Sequence, residues 1–421
     1  MRQLAASLAT LLLCLGASAQ PFPFGLFDFG RQQEEPKTRK TALAYDVNFD
    51  FNFDNREFAR TEGLYTSSGT LFQALATPSI GIDIMPDSRL SHRVMAGIDI
   101  AKNLGESPAL PGQEKLQNLG LFREITLYYR IRYVGDKTII TGYAGILPRR
   151  FMQGEYSSAF FSDSLLVRDR NIEGALLTIQ RPRAMYEFGC DWMGMKGPSR
   201  RERFMLFTTG EAFPVDWFSL GWALTGYHYA CADEYGQVAD NILAEPFVKF
   251  SLGSLAGMQD LTAKLSFLGG LQRRRDISMD FSVPYGGQLR LLARNWNVGI
   301  DNTTYVGTSQ MPFYNDIDDG GYKFGSQFYY GNPMYRIHAS GAWNSIGWYD
   351  RAEVFYAPRI AGFLDLKISL VFHLTGDASA PFRYAGWQQK LSLVFDLDRL
   401  LHQTKKLTKE KRKIYHFDQT L

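Results

Sequence analysis

Runs in which every second side chain is apolar recur along this chain, and the connections between them alternate between long and short. Leu43, Tyr45, Val47, Phe49, Phe51 and Phe53 alternate with Ala44, Asp46, Asn48, Asp50 and Asn52. Successive side chains of a β-strand point to opposite faces, so this period predicts one apolar face and one face of carboxylates and amides. The same period returns at Ala184–Trp192, Leu364–Leu374 and Trp387–Phe395. Runs of this length suit strands tilted across a hydrocarbon layer, whereas strands of water-soluble domains are usually about five or six residues long.

One apolar face also fits a soluble sandwich, so the connections decide. Short turns are expected at Pro86–His92, Gly135–Lys137, Arg181–Arg183, Ala212–Asp216, Leu252–Gln259, Arg294–Asn295, Gly331–Pro333 and Pro358–Gly362. Long loops are expected at Asp54–Pro78, Lys102–Phe122, Pro148–Asn171, Gly194–Arg203, Ala230–Asp240, Leu271–Gly286, Gly307–Tyr322, Gly341–Trp348 and Thr375–Ala385. Strict alternation predicts an all-β fold: a single transmembrane antiparallel β-barrel of about eighteen strands, with short turns on one side and long loops on the other. The Tyr-rich runs at Phe324–Tyr330 and Met334–Ser340 are weak; without them the count is sixteen. Either size encloses an aqueous channel, where about eight strands would be filled by side chains. The 14% aromatic content then serves an outward band and interfacial girdles rather than a core.

The flanks divide the chain. Arg2, the apolar run Leu4–Gly16 and the small-residue site Ala17-Ser18-Ala19 read as a secretory signal over residues 1–19. Residues 20–40 have Pro, Gly and charge without a period, and read as a periplasmic leader. The barrel is expected over 41–398. Residues 399–421 carry Arg399, Lys405, Lys406, Lys409, Lys411, Arg412 and Lys413, a basic tail on the periplasmic side.

Strand parity assigns the inner wall: Asp46, Asn48, Asp50, Glu124, Tyr128, Arg130, Arg132, Glu187, Asp191, Glu245, Lys249, Lys264, Gln288, Arg290, Asp365, Lys367 and His373. A wall of both signs favours water and hydrated polar solutes. The third long loop mixes Arg149, Arg150, Glu155 and Asp163 with Phe151, Phe160 and Phe161, and is the candidate to fold inward and narrow a channel. Arg200, Arg201 and Arg203, with Arg273, Arg274 and Arg275, fall in other long loops, where they would meet lipopolysaccharide phosphates.

Other functions find little support. A formal charge of +3 does not fit a nucleic-acid partner. No cofactor motif or metal-ligand cluster stands out. A hydrolytic triad needs Ser, His and a carboxylate together; Asp365, Ser369 and His373 share one strand face but are spaced along it at roughly 3.3 Å per residue, too far apart to form one. Cys14 leaves with the signal, and Cys190 and Cys231 read as small buried hydrophobes rather than a disulfide.

The segments Tyr143–Arg149, Ala159–Ser164, Asn171–Gly174, Gly189–Lys196 with Arg200–Glu202, and Gly386–Phe395 resemble a poorly characterised family of porin-like outer-membrane proteins of Bacteroidota, over roughly residues 43 to 396. The resemblance implies an outer-membrane location. Phe395 stands where such barrels carry the aromatic residue read by the barrel assembly machinery, with 26 residues following it. No plug domain or energy-coupling box precedes the first strand. The expected function is passive diffusion of small hydrophilic solutes. The alternatives are a transporter for more apolar cargo, a non-conducting structural or adhesive barrel, and an outer-membrane hydrolase. A homo-oligomer stays open, and nothing in the sequence marks an interface.

Overall fold

A computed structural model describes residues 41–58, 68–104, 122–162, 165–166, 169–198, 200–231, 236–310, 318–321, 324, 335 and 344–396. The signal, leader and basic tail lie outside these residues. The strands are β1 (Thr41–Phe58), β2 (Gly69–Ile84), β3 (Leu90–Asn103), β4 (Phe122–Val134), β5 (Ile139–Pro148), β6 (Asn171–Arg181), β7 (Ala184–Gly194), β8 (Glu202–Val215), β9 (Phe218–Ala230), β10 (Val238–Ser251), β11 (Asp260–Arg274), β12 (Tyr285–Asn295), β13 (Val298–Gly307), β14 (Gly347–Tyr356), β15 (Arg359–Ile360), β16 (Leu364–Asp377) and β17 (Arg383–Asp396).

Each strand pairs antiparallel with the next, and β1 pairs with β17 from Asn48↔Asp396 to Phe58↔Gly386, which closes the sheet on itself. Closure leaves no strand edge unpaired. The two-residue β15 only flanks β16, and β14 pairs with β16 directly over ten positions. Sixteen strands therefore build the wall among the described residues. The sixteen-strand version of the sequence reading is the one realised: β13 pairs directly with β14 from Val298↔Tyr356 to Gly307↔Gly347, so no further hairpin enters the wall between them. The runs Phe324–Tyr330 and Met334–Ser340 lie almost wholly outside the described residues.

The wall strands run from 10 to 18 residues, longer than the periodic runs in the sequence. The β1–β2 ladder continues to Arg56↔Gly69, so the first long connection starts later and ends earlier than Asp54–Pro78. Pro78 had marked a loop end but sits inside β2. Lacking an N–H, it interrupts the β2–β3 ladder between Ala76↔Ile100 and Ser79↔Gly97, with the same register on either side. Pro246 does the same to the β10–β11 ladder. The β12–β13 turn falls on Trp296 and Asn297, not Arg294–Asn295. Both have positive φ (51° and 64°), as a type I′ hairpin requires.

The two faces are chemically opposite. On β4, Ile125, Leu127, Tyr129, Ile131 and Tyr133 are exposed on the outside, while Thr126 and Tyr128 are buried within. The outward rows Ile80–Ile82–Ile84, Leu220–Trp222–Leu224, Leu265–Phe267 and Ile368–Leu370–Phe372 repeat this around the wall. Leaving such side chains in water forgoes roughly 1.5–3 kcal/mol each, so the wall is built for an apolar surrounding. No helix among the described residues is long and apolar enough to cross a membrane; the strands do the crossing.

Candidate functional site: the charged inner wall and the third loop

The third long connection, residues 149–170, turns into the barrel. A 3-10 turn, Arg149–Phe151, starts it. Phe151 stacks on Tyr143 with ring centroids 5.0 Å apart and meets Tyr128 edge-on at 5.4 Å, so the loop begins against the inner faces of β4 and β5. Arg149 is buried, and its guanidinium donates to Asp191 Oδ2 (2.7 Å) and to the Asn171 carbonyl (2.8 Å). The Gln153 N–H donates to Glu187 Oε2 at 2.6 Å. Gly154 lies flat on the wall: a Cβ there would come within 2.0 Å of Thr209 Cγ2 and 2.9 Å of Glu187 Oε1. Tyr156 and Phe161 pack edge-on against each other and against Phe207.

The loop's charged side chains then reach opposite sides of the ring. Arg150 Nη2 lies 2.6 Å from Asp46 Oδ2 on β1, and Arg170 pairs with Asp50, also on β1. Glu155 lies 2.5 Å from Lys249 Nζ on β10 and 3.5 Å from Lys264 Nζ on β11. In a ring of sixteen strands, β1 and β10 are nearly diametric, so the loop bridges the lumen. Burial alone would raise the Glu155 pKa, but Lys249, Lys264 and Arg290 hold it down to about 2. Asp163 lies outside the described residues.

The parity residues fall into five sectors. On β1, Asp46 and Asp50 take the loop's arginines, and Asn48 Nδ2 donates to Asp50 Oδ1 at 3.1 Å. On β4, Glu124 Oε2 accepts from Asn171 Nδ2 at 2.5 Å, and Arg130 Nη2 lies 3.6 Å from Asp83. Arg132 is one inward step further toward the short turns, opposite Ser91. On β7, Asp191 and Glu187 hold the loop as described. On β10 to β12, Lys249, Lys264 and Arg290 lie in one cross-strand line. Lys249 is also 2.5 Å from Glu211, and Lys264 is 3.1 Å from Glu245. Arg290 forks onto Asp301 at 2.9 and 2.8 Å. On β16, Asp365 pairs with Arg359 at 2.7 Å, and Lys367 Nζ lies 2.7 Å from Glu353 Oε1.

His373 is engaged at both ring nitrogens. Gln388 Nε2 donates to Asp54 Oδ1 (3.2 Å), which leaves Gln388 Oε1 to accept from His373 Nε2–H at 2.9 Å. Nδ1 then accepts from the Tyr349 hydroxyl at 2.6 Å. Among the described residues, no group of three or more His, Cys, Asp or Glu is arranged to hold a metal ion. Cys190 and Cys231 are free thiols, and burial pushes the Cys231 thiol up to about 11.

Sequence reasoning passed over Asp83, Arg93, Asp99, Glu211, Asp301, Arg351 and Glu353, all on the inner wall. Their parity within β2, β3, β8, β13 and β14 was the signal that could have found them. Arg93, for one, forks onto Asp83 at 2.5 and 2.6 Å. The seventh connection also contributes: the Tyr335 hydroxyl donates to Gln288 Oε1 at 2.7 Å and lies 3.3 Å from Ser158 Oγ of the third loop. Of the two arginine clusters expected in long loops, Arg200, Arg201 and Arg275 lie in the connections and Arg203 lies in β8. Arg201 turns onto buried Asp318 at 2.9 Å. Arg273 and Arg274 belong to β11, and Arg273 and Arg275 both bind Asp240 at 2.8 Å.

No protein-family model and no curated protein matches the chain. Among solved structures it is similar to OmpT, an outer membrane protein of Vibrio cholerae (8% identity, 86% of this chain and 99% of that chain, TM-score 0.48). It is also similar to OmpF of Salmonella typhi in complex with daunomycin (9%, 85% and 98%, TM-score 0.46), and to a BenF-like porin from Pseudomonas fluorescens Pf-5 (9%, 84% and 98%, TM-score 0.39). The unbroken ladder from β1 round to β17 makes the fold a closed antiparallel β-barrel. Placement within a Bacteroidota family rests on the quoted segments alone.

Proposed function

We propose that the chain is an outer-membrane channel for passive diffusion of small hydrophilic solutes, without enzymatic activity. Both ends of the barrel chain face the periplasm in this reading, and the long connections face outward. The observation that carries it is the third loop spanning the lumen from Asp46 on β1 to Lys249 and Lys264 on β10 and β11. A loop so placed narrows the lumen. Its aromatic side packs on β4, β5 and β8, while Arg290 on β12 and Lys367 on β16 stay 41% and 43% exposed. In this reading the solute path runs past Arg290 and Lys367 and the acids paired with them, charges of both signs that favour hydrated polar cargo over apolar cargo.

Planar-bilayer recording and liposome swelling test this directly. Stepwise conductance, together with swelling in small sugars and amino acids that falls with solute size, is expected. Absence of both with correctly folded protein would overturn the proposal. A hydrolase reading is less favoured: the His373 ring nitrogens meet the Tyr349 hydroxyl and Gln388 Oε1.

A further inference from the structure

The direct contacts between the third loop and the wall named above fall on β1, on β4 to β8, and on β10 and β11. Its tie to β12 comes through a residue of another connection. Tyr335, from the seventh connection, is fully buried. Its ring meets Tyr305 of β13 edge-on, with centroids 5.4 Å apart. Its hydroxyl donates to Gln288 Oε1 on β12 at 2.7 Å and lies 3.3 Å from Ser158 Oγ of the third loop. A tyrosine hydroxyl has one proton to give. That proton is committed to Gln288, so the Ser158 hydroxyl donates and Tyr335 Oη accepts. Gln288 stands one inward step along β12 from Arg290, which the proposed solute path passes.

Tyr335 is itself held at its main chain, its ring and its hydroxyl. The Gln310 N–H donates to its carbonyl at 2.6 Å. Gln310 Nε2 donates to the Tyr305 hydroxyl at 2.7 Å, and that hydroxyl donates to the Thr308 carbonyl at 2.7 Å. Tyr305 and Gln288 are cross-strand partners, so all three holds refer Tyr335 to one place on the wall. Ser158 sits in a single turn. The Phe160 N–H donates to the Ser157 carbonyl at 3.0 Å, and the Phe161 N–H reaches the same oxygen at 3.4 Å. Beside that turn, Tyr156 and Phe161 rest on Phe207 of β8. Apolar contact is non-directional and lets such a turn slide, whereas a hydrogen bond fixes distance and angle.

We propose that Tyr335 is a positioning residue for the third loop. From its seat on Gln288 it holds the Ser158 turn at a set distance from β12. It thereby sets the width of the path beside Arg290 and the largest solute that passes. The seventh connection takes part in size selection through this one side chain, 177 positions from the serine it holds. The effect on solutes rests on the channel reading; the tie itself does not.

The full chain is compared with Tyr335→Phe, Ser158→Ala and the double variant, with heat-modifiable gel migration verifying that each barrel has folded. Tyr335→Phe keeps the ring and loses only the oxygen. Losing one neutral hydrogen bond raises the unseated population of the turn about fivefold. Hydrogen exchange of the amides at Tyr156–Phe161, read by mass spectrometry, is expected to quicken by about that factor in either single variant. The double variant should be no faster, because either change breaks the same bond. The amides of β6 should keep their natural rate. Liposome swelling in a series of oligosaccharides is expected to admit larger members in all three variants, with the smallest sugars unaffected. Unchanged exchange in Tyr335→Phe, or effects that add in the double variant, overturns the tie. Faster exchange with an unaltered size limit overturns its role in selection. Faster exchange in a protein that swells no liposomes keeps the tie and sinks the channel reading instead.

Discussion

Replacing Glu155 by Gln removes one charge from the tip of the third loop inside the lumen while leaving its partners paired. Lys249 keeps Glu211 and Lys264 keeps Glu245, so the wall is expected to fold unchanged. With Lys249, Lys264 and Arg290 set against Glu155, Glu211, Glu245 and Asp301, the local charge moves from net −1 to neutral. An ion passing about 7 Å from the lost carboxylate loses roughly 0.6 kcal/mol of interaction at the dielectric constant of water and about 2.4 kcal/mol at an effective value of 20. A cation loses this interaction and an anion is freed of it, so the cation-to-anion permeability ratio shifts by twice the lower figure, roughly 1.2 kcal/mol, and falls about sevenfold at about 1.4 kcal/mol per factor of ten. Reversal potentials in a KCl gradient read this ratio.

Acidity supplies an internal control. The folded pKa of Glu155 is depressed to about 2 from an ordinary 4.5. The ion pair's contribution to seating the loop is therefore fully present above the ordinary value and is lost as the pH falls through about 2. The difference between the natural protein and the variant should persist from pH 7 to pH 4, halve near pH 2 and vanish below it. An unchanged permeability ratio at neutral pH would refute the placement of Glu155 beside the conducting path.

Four further outcomes follow from the same geometry. Gly154→Val cannot seat against Thr209 and should lift the third loop, so single-channel conductance should rise or become noisy; an unaltered trace would count against the loop as the constriction. Lys367→Cys, labelled with a charged thiol reagent, should cut conductance, whereas Thr178→Cys, buried behind the loop, should be insensitive. Leu127→Arg puts a charge in the middle of an outward row and should destabilise the barrel by about 2–4 kcal/mol at the bilayer midplane, measured by denaturant unfolding in lipid vesicles. Cys190 and Cys231 should both take up maleimide after denaturation without reductant; failure to label would reveal a bond between them.

Much of this protein could be read from local pattern. A period of two depends only on neighbouring side chains, so the faces of β1, β7, β16 and β17 were legible directly, and with them the charged inner wall and the antiparallel barrel. Pro78 misled because a proline inside a strand usually marks its end, yet here the β1 ladder carries β2 past it.

What the sequence by itself determined was the alternation of each strand and the polarity of each face, since both follow from backbone geometry over a few residues. Only the closed structure decided that sixteen strands make the wall, that Arg150 meets a partner 104 positions away, and that the third loop crosses to β10. Those pairings have no local cause. They exist because closing the sheet brings β1 and β17 together and gives the loop an interior to cross.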